Sequence, residues 1–163
     1  MTPAREYFVF FRESIWHLNT AWRILTEIKT GAGTPILVNA AFQFALIEYC
    51  KPYKRSDGNI KNAKGKPIRY HLDQKYIPPE YSSLHQRITN ARDQIHAHGD
   101  LTVLDAKVYV EESAYGKVAG YVRNVIHGTE ELEHIDSIID LIEQTLDSMH
   151  EEEEKLKQEL PID

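Results

Sequence analysis

The sequence predicts a mainly α-helical, all-α domain: a four-helix up-down bundle with a long basic loop between helices two and three and a small β-hairpin between helices three and four. Three observations carry this expectation. Apolar residues recur at spacings of three and four in four separate segments, and each such seam is best buried against others in a bundle. Between Tyr53 and Pro79 that periodicity fails, and Gly58, Gly65, Pro67, Pro78 and Pro79 punctuate the chain. Two Val- and Tyr-rich runs flank a short Ser113-Ala114-Tyr115-Gly116 stretch, which is a hairpin pattern. With 163 residues, 42% of them hydrophobic, the chain reads as one domain over 1–163 with one core.

In the first segment Phe8, Phe11, Ile15, Leu18, Trp22 and Leu25 share one stripe, so helix one is expected from Pro3 to Lys29. Gly31 and Gly33 interrupt it. Thr34 followed by Pro35 reads as an N-cap with proline in the first turn of helix two. Leu37, Ala41, Phe44 and Ile47 are that helix's expected buried face, and Pro52 stops it near Lys51. Residues 53–79 are expected to form the basic loop, a length that is uncommon in a compact domain unless it serves binding or is disordered.

Helix three is expected to begin near Pro79 or Glu80 and to carry Tyr81, Leu84, Ile88, Ala91 and Ile95, with His98 next on the stripe. Gly99 follows as a left-handed C-cap. A polar stripe of His85, Thr89, Arg92 and His96 runs beside it. The hairpin insertion occupies 101–127, with strands expected over Leu101–Glu112 and Lys117–His127. Helix four opens at Thr129, loosely capped with Glu133, and carries Leu132, Ile135, Ile139, Ile142, Leu146 and Met149. The acidic tail, 150–163, reads as a solvated helix face or a frayed end.

Charge excludes some classes. A net charge of −6 argues against a protein coated in nucleic acid, because phosphate contacts rest on Lys and Arg. Locally, however, Lys51, Lys54, Arg55, Lys61, Lys64, Lys66 and Arg69 are opposed only by Asp57. Of these, Lys54, Arg55, Lys61, Lys64, Lys66 and Arg69 are candidate RNA contacts, with Tyr53, Tyr70 and Tyr76 available for base stacking; a solvated loop is the alternative. Met1 to Ser14 has no apolar h-region, and Thr30 to Ile47 is interrupted by Gly, Pro and polar residues, so neither a signal peptide nor a membrane span is expected. A lone Cys50 makes no internal disulfide. A cytoplasmic location is the plain expectation.

The chemistry concentrates in Arg92-Asp93-Gln94-Ile95-His96-Ala97-His98-Gly99-Asp100. An imidazole that titrates near neutrality and a permanently charged guanidinium are the types needed to move protons and neutralise a phosphate during RNA cleavage. Read as R-D-x4-H, the segment resembles the R-polar-x3-5-H motif of the HEPN superfamily, late in a helix of a helical bundle. Its Ala-His-x-Asp ending is similar to the abortive-infection (AbiU-type) subgroup. The resemblance covers about Phe8 to Leu146.

That resemblance implies a metal-independent endoribonuclease acting as a homodimer across which a composite site forms. Arg92 is then the phosphate clamp, Asp93 the orienting group and His98 the general acid or base. It further implies a prokaryotic toxin or phage-defence role, an RNA substrate, an antitoxin as candidate partner, no membrane, and neither cofactor nor metal. His96 offers an alternative register one helical turn after Arg92, and His96 and His85 are candidate accessory residues. Asp100 stands where some HEPN toxins carry a modifiable tyrosine, so that control is not supported.

Rival readings use the same residues. A histidine ending an apolar seam can be a packed residue favoured by the helix dipole, leaving an inactive HEPN-like bundle that binds RNA or a partner protein. His85, His96 and His98 make a poor metal site, because residues two apart on a helix point about 200° apart. Glu131 and His134 form one E-x-x-H, but a di-iron bundle needs two such pairs and two further glutamates. His17, Glu48 and Tyr49 are further candidates that sequence alone cannot position.

Overall fold

The computed structural model describes residues 1–31, 33–93, 106–122 and 130–162. Helix α1 spans Pro3–Lys29 and α2 spans Pro35–Cys50. The helix starts follow the expected chemistry: the side chains of Thr2 and Thr34 accept hydrogen bonds from the backbone N–H groups of Arg5 and Leu37, and a proline follows each cap. Gly31 and Gly33 take φ of 79° and 114° between the two helices, a left-handed backbone that glycine adopts without a Cβ clash.

Fold class is the main correction. The chain is mostly helical but mixed, with two separate two-stranded antiparallel sheets, so it is not a pure four-helix bundle. The expected basic loop is largely ordered. Strand β1, Ser56–Lys61, pairs antiparallel with β2, Pro67–Tyr70, with a register shift between Asp57 and Lys61. The Asn62 side chain accepts from the backbone N–H groups of Lys64 and Lys66 at 2.9 and 3.2 Å, and Gly65 closes the turn at φ 72°. Beyond β2 the chain returns to the core, where Leu72, Tyr76 and Ile77 are buried. A polar hairpin has little apolar alternation, which is why periodicity does not disclose it.

Helix α3, Ser82–Ala91, follows a short turn of 3-10 helix at Pro79–Tyr81. Strands β3, Lys107–Ser113, and β4, Gly116–Val122, form the expected second hairpin in register from Lys107↔Val122 to Ser113↔Gly116. Tyr109 lies across from Gly120, where an added Cβ would meet its ring at 2.3 Å. Both hairpin faces are largely exposed. Helix α4, Ile135–Glu159, follows a 3-10 segment at Glu130–His134. Thr129, Ile95, Gly99 and the expected strand ends at 101–105 and 123–127 lie outside the described residues.

The core joins α1 (Phe11, Ile15, Leu18, Ala21, Leu25), α2 (Phe42, Ala45, Leu46, Tyr49), α3 (Leu84, Ile88) and α4 (Ile138, Leu141, Ile142, Met149). Helix α2 turns a different face inward from the one expected: Phe42, Ala45, Leu46 and Tyr49 are buried, whereas Leu37 and Phe44 are exposed. Its residues are apolar almost all round, so spacing cannot select a face. The acidic tail takes the first of its two expected forms, a largely solvated helix face, except at one residue. Its larger part continues α4, and Glu153 is buried against α1 in an ion pair with Arg12. Trp22 of α1 donates to Glu143 of α4 at 2.7 Å, a second tie between these helices. No helix among the described residues is long and apolar enough to cross a membrane.

Candidate functional site

Arg92 caps the C-terminal end of α3 in helical conformation, which carries its side chain to the junction of α1, the turn after α2, and the start of β1. There it lines a cleft of about 400 Å³. Phe10, Ser14 and His17 form the α1 wall, and Lys51, Lys54 and Arg55 come from the turn and the segment before β1. Among the described residues, Glu13 is the one carboxylate on a wall that also carries four permanent cations. Such a lining focuses a positive field into a concave space and attracts an anion.

The carboxylates that balance these cations sit elsewhere. Asp93 accepts from Arg92 Nη1 at 3.0 Å and from Lys54 Nζ at 2.5 Å. Partial burial would raise its pKa, but these two cations outweigh burial and hold it below the ordinary value. Asp93 therefore stays ionised and fixes one edge of the Arg92 guanidinium, whose side chain is 26% exposed. A guanidinium held on one edge keeps donors free for a second planar oxygen pair.

Glu48 is more deeply enclosed, with 2% of its side chain exposed. Its Oε1 accepts from Lys51 Nζ at 2.5 Å and its Oε2 lies 2.7 Å from His17 Nδ1. Burial alone would raise this carboxyl's pKa, yet the Lys51 and His17 contacts outweigh it and lower the value. As an ionised carboxylate Glu48 can only accept, so His17 Nδ1 carries the proton.

The other expected residues divide by position. His85 is not on the cleft wall: it is 3% exposed, its Nδ1 lies 2.7 Å from the Tyr49 hydroxyl, and its ring packs edge-on to Tyr53. Burial, with Lys54 nearby, lowers its pKa and keeps it neutral. Lys54 and Arg55 belong to the cleft, whereas Lys61, Lys64 and Lys66 are exposed around the β1–β2 turn. Arg69 pairs with Asp57 across that hairpin at 2.9 Å. Cys50 is buried, which pushes its thiol up to about 12 and leaves it unreactive. Glu131 receives Arg87 through two nitrogens at 2.5 and 3.0 Å, tying α3 to the turn before α4. His96, His98 and Asp100 lie outside the described residues.

Sequence reasoning named His17 and Glu48 as candidates without positioning them and did not assign Lys51 to the site. One signal was present: Glu48 is a lone carboxylate in the run Phe44-Ala45-Leu46-Ile47-Glu48-Tyr49-Cys50, and a charge inside an apolar run needs a partner. A larger groove of about 490 Å³ between α1 and α2, lined by Ile24, Ile28, Leu37, Val38 and Ala41 among others, carries neither histidine nor lysine. Among the described residues no three His, Cys, Asp or Glu side chains are grouped to hold a metal ion. No family model, curated protein or solved structure matches the chain.

Proposed function

We propose that the chain is a metal-independent endoribonuclease of HEPN type that works as a homodimer in prokaryotic defence or as a toxin. Arg92 clamps the scissile phosphate, Asp93 holds Arg92, and His98 transfers a proton. The observation that carries this reading is the cationic cleft at the end of α3, where Arg92 meets Lys51, Lys54 and Arg55. The cleft is the size of a site for one or two nucleotide units. Positive charge aimed at a phosphate that gains negative charge lowers the barrier without a metal. Exposed apolar side chains on α1 and α2 support dimerisation: Trp16, Ile36, Leu37 and Phe44 are all half exposed or more, and large apolar side chains left in water favour contact with a partner.

A second reading is an inactive bundle that binds RNA or a partner protein, supported by the exposed Lys61, Lys64 and Lys66 of the β1–β2 turn. One experiment separates the two. Single-stranded RNA and total tRNA are incubated with wild type and His98→Ala in excess chelator, and product ends are analysed. The ribonuclease reading expects cyclic phosphate ends from wild type alone. Salt-sensitive binding without cleavage, with a salt slope that shrinks when the three lysines are replaced together, favours the second reading.

A further inference from the structure

The packing of α1 on α2 brings together two residues 31 apart in the chain, His17 and Glu48, at 2.7 Å. Three features of this pair go beyond burial of a charge. Glu48 holds the imidazole by Nδ1, and Nε2 makes no hydrogen bond among the described residues. The His17 side chain is 21% exposed, shielded but reachable, and it lines the same cleft as Arg92. The Trp16 ring packs edge-on 5.0 Å from the imidazole and limits its rotation. A carboxylate that fixes the tautomer of a histidine lining a substrate space, with its second nitrogen left unbonded, is the arrangement of a general base.

We infer that His17, oriented by Glu48, is a catalytic proton-transfer residue of the cationic cleft. This inference rests on the ribonuclease reading and adds to it a group from α1. Nε2 takes the proton of an RNA 2′-hydroxyl. The 2′-oxygen then forms a bond to the adjacent phosphorus as the bond from phosphorus to the 5′-oxygen breaks. The leaving 5′-oxygen takes its proton from solvent water, giving a 2′,3′-cyclic phosphate and a 5′-hydroxyl. Glu48 stabilises the imidazolium formed on His17, which returns its proton to water. Among the described residues, Lys51, Lys54, Arg55, Arg92 and Glu13 are the other charged groups facing this space, and the guanidinium groups of Arg55 and Arg92 offer planar forks for phosphate oxygens.

The test uses His17→Asn, whose amide keeps a donor for Glu48 while removing Nε2. The expected result is a cleavage rate at least about 100-fold lower, an unchanged KM, and partial recovery with added imidazole. Wild-type cleavage matched by an equally active His17→Asn overturns the inference and leaves the ribonuclease reading intact. Absence of cleavage by wild type overturns that reading and this inference with it. A measurement on the wild type guards against a variant that fails to fold: uridine 3′-phosphate should shift the His17 imidazole NMR signals, and signals unmoved at saturating nucleotide overturn the assignment.

Discussion

Glu48 is a carboxylate with almost no water around it, and it stays ionised only because Lys51 and His17 both reach it. Removing one partner leaves a buried acceptor short of a donor. His17→Ala should therefore destabilise the fold by about 1–3 kcal/mol, read as a shift in urea midpoint, while His17→Asn should recover most of that loss. Arg92 behaves differently, since its guanidinium is partly exposed and Asp93 also pairs with Lys54; Arg92→Ala should leave thermal stability nearly unchanged. These residues show how much of the site was legible beforehand. Arg92 and Asp93 are adjacent in sequence and stand out as a motif. Glu48 and Lys51 are three apart and pair locally, whereas His17 comes from α1 and only tertiary packing brings it to Glu48, so no local pattern can report that meeting.

At the scale of elements, helix starts and turns were legible because they depend on neighbouring residues: Thr34-Pro35 opens α2, and Gly116 ends the β3–β4 turn at φ 112°. The buried face of α2 was not, because Phe42 and Phe44 are equally apolar and differ only in what packs on them. That correction makes a measurable contrast. Phe42→Ala should cost about 3–5 kcal/mol, as for a fully buried ring, and Phe44→Ala less than about 1 kcal/mol, as for a surface site. Equal losses in chemical denaturation would reverse the face assignment. The β1–β2 hairpin is anchored by Glu6 of α1, which accepts from the backbone N–H groups of Asn59 and Ile60 and from the Tyr70 hydroxyl. Gly58 permits this approach, since a Cβ there would lie 2.5 Å from Glu6 Oε2 and 2.7 Å from the Tyr70 ring. Gly58→Ala should thus raise hydrogen-exchange rates at Asn59 and Ile60 selectively; protection equal to wild type would show that the anchor does not depend on that contact.

The whole molecule is a helical core that presents a cationic cleft on an acidic chain, and its pH response follows from the buried groups. Glu48, Glu153 and Asp93 have pKa values lowered in the folded state. The stability they contribute is present above their unfolded values of 4.5, 4.5 and 3.8 and is lost as pH falls through that range. His85 is also lowered, so its contribution is present above 6.5 and lost as pH falls below it. The urea midpoint should accordingly decline in two stages between about pH 7 and pH 4, and His85→Phe should remove the first stage; a midpoint that rises on acidification contradicts this. The mixed fold class itself was hidden at this scale, since a polar hairpin in a basic stretch has the composition of a loop. The most direct test of the central claim compares RNA cleavage by wild type and Arg92→Ala in excess chelator. The account predicts cleavage by wild type, with cyclic phosphate ends, and a rate about 100- to 1,000-fold lower for Arg92→Ala; an Arg92→Ala protein that cleaves as fast as wild type would contradict it.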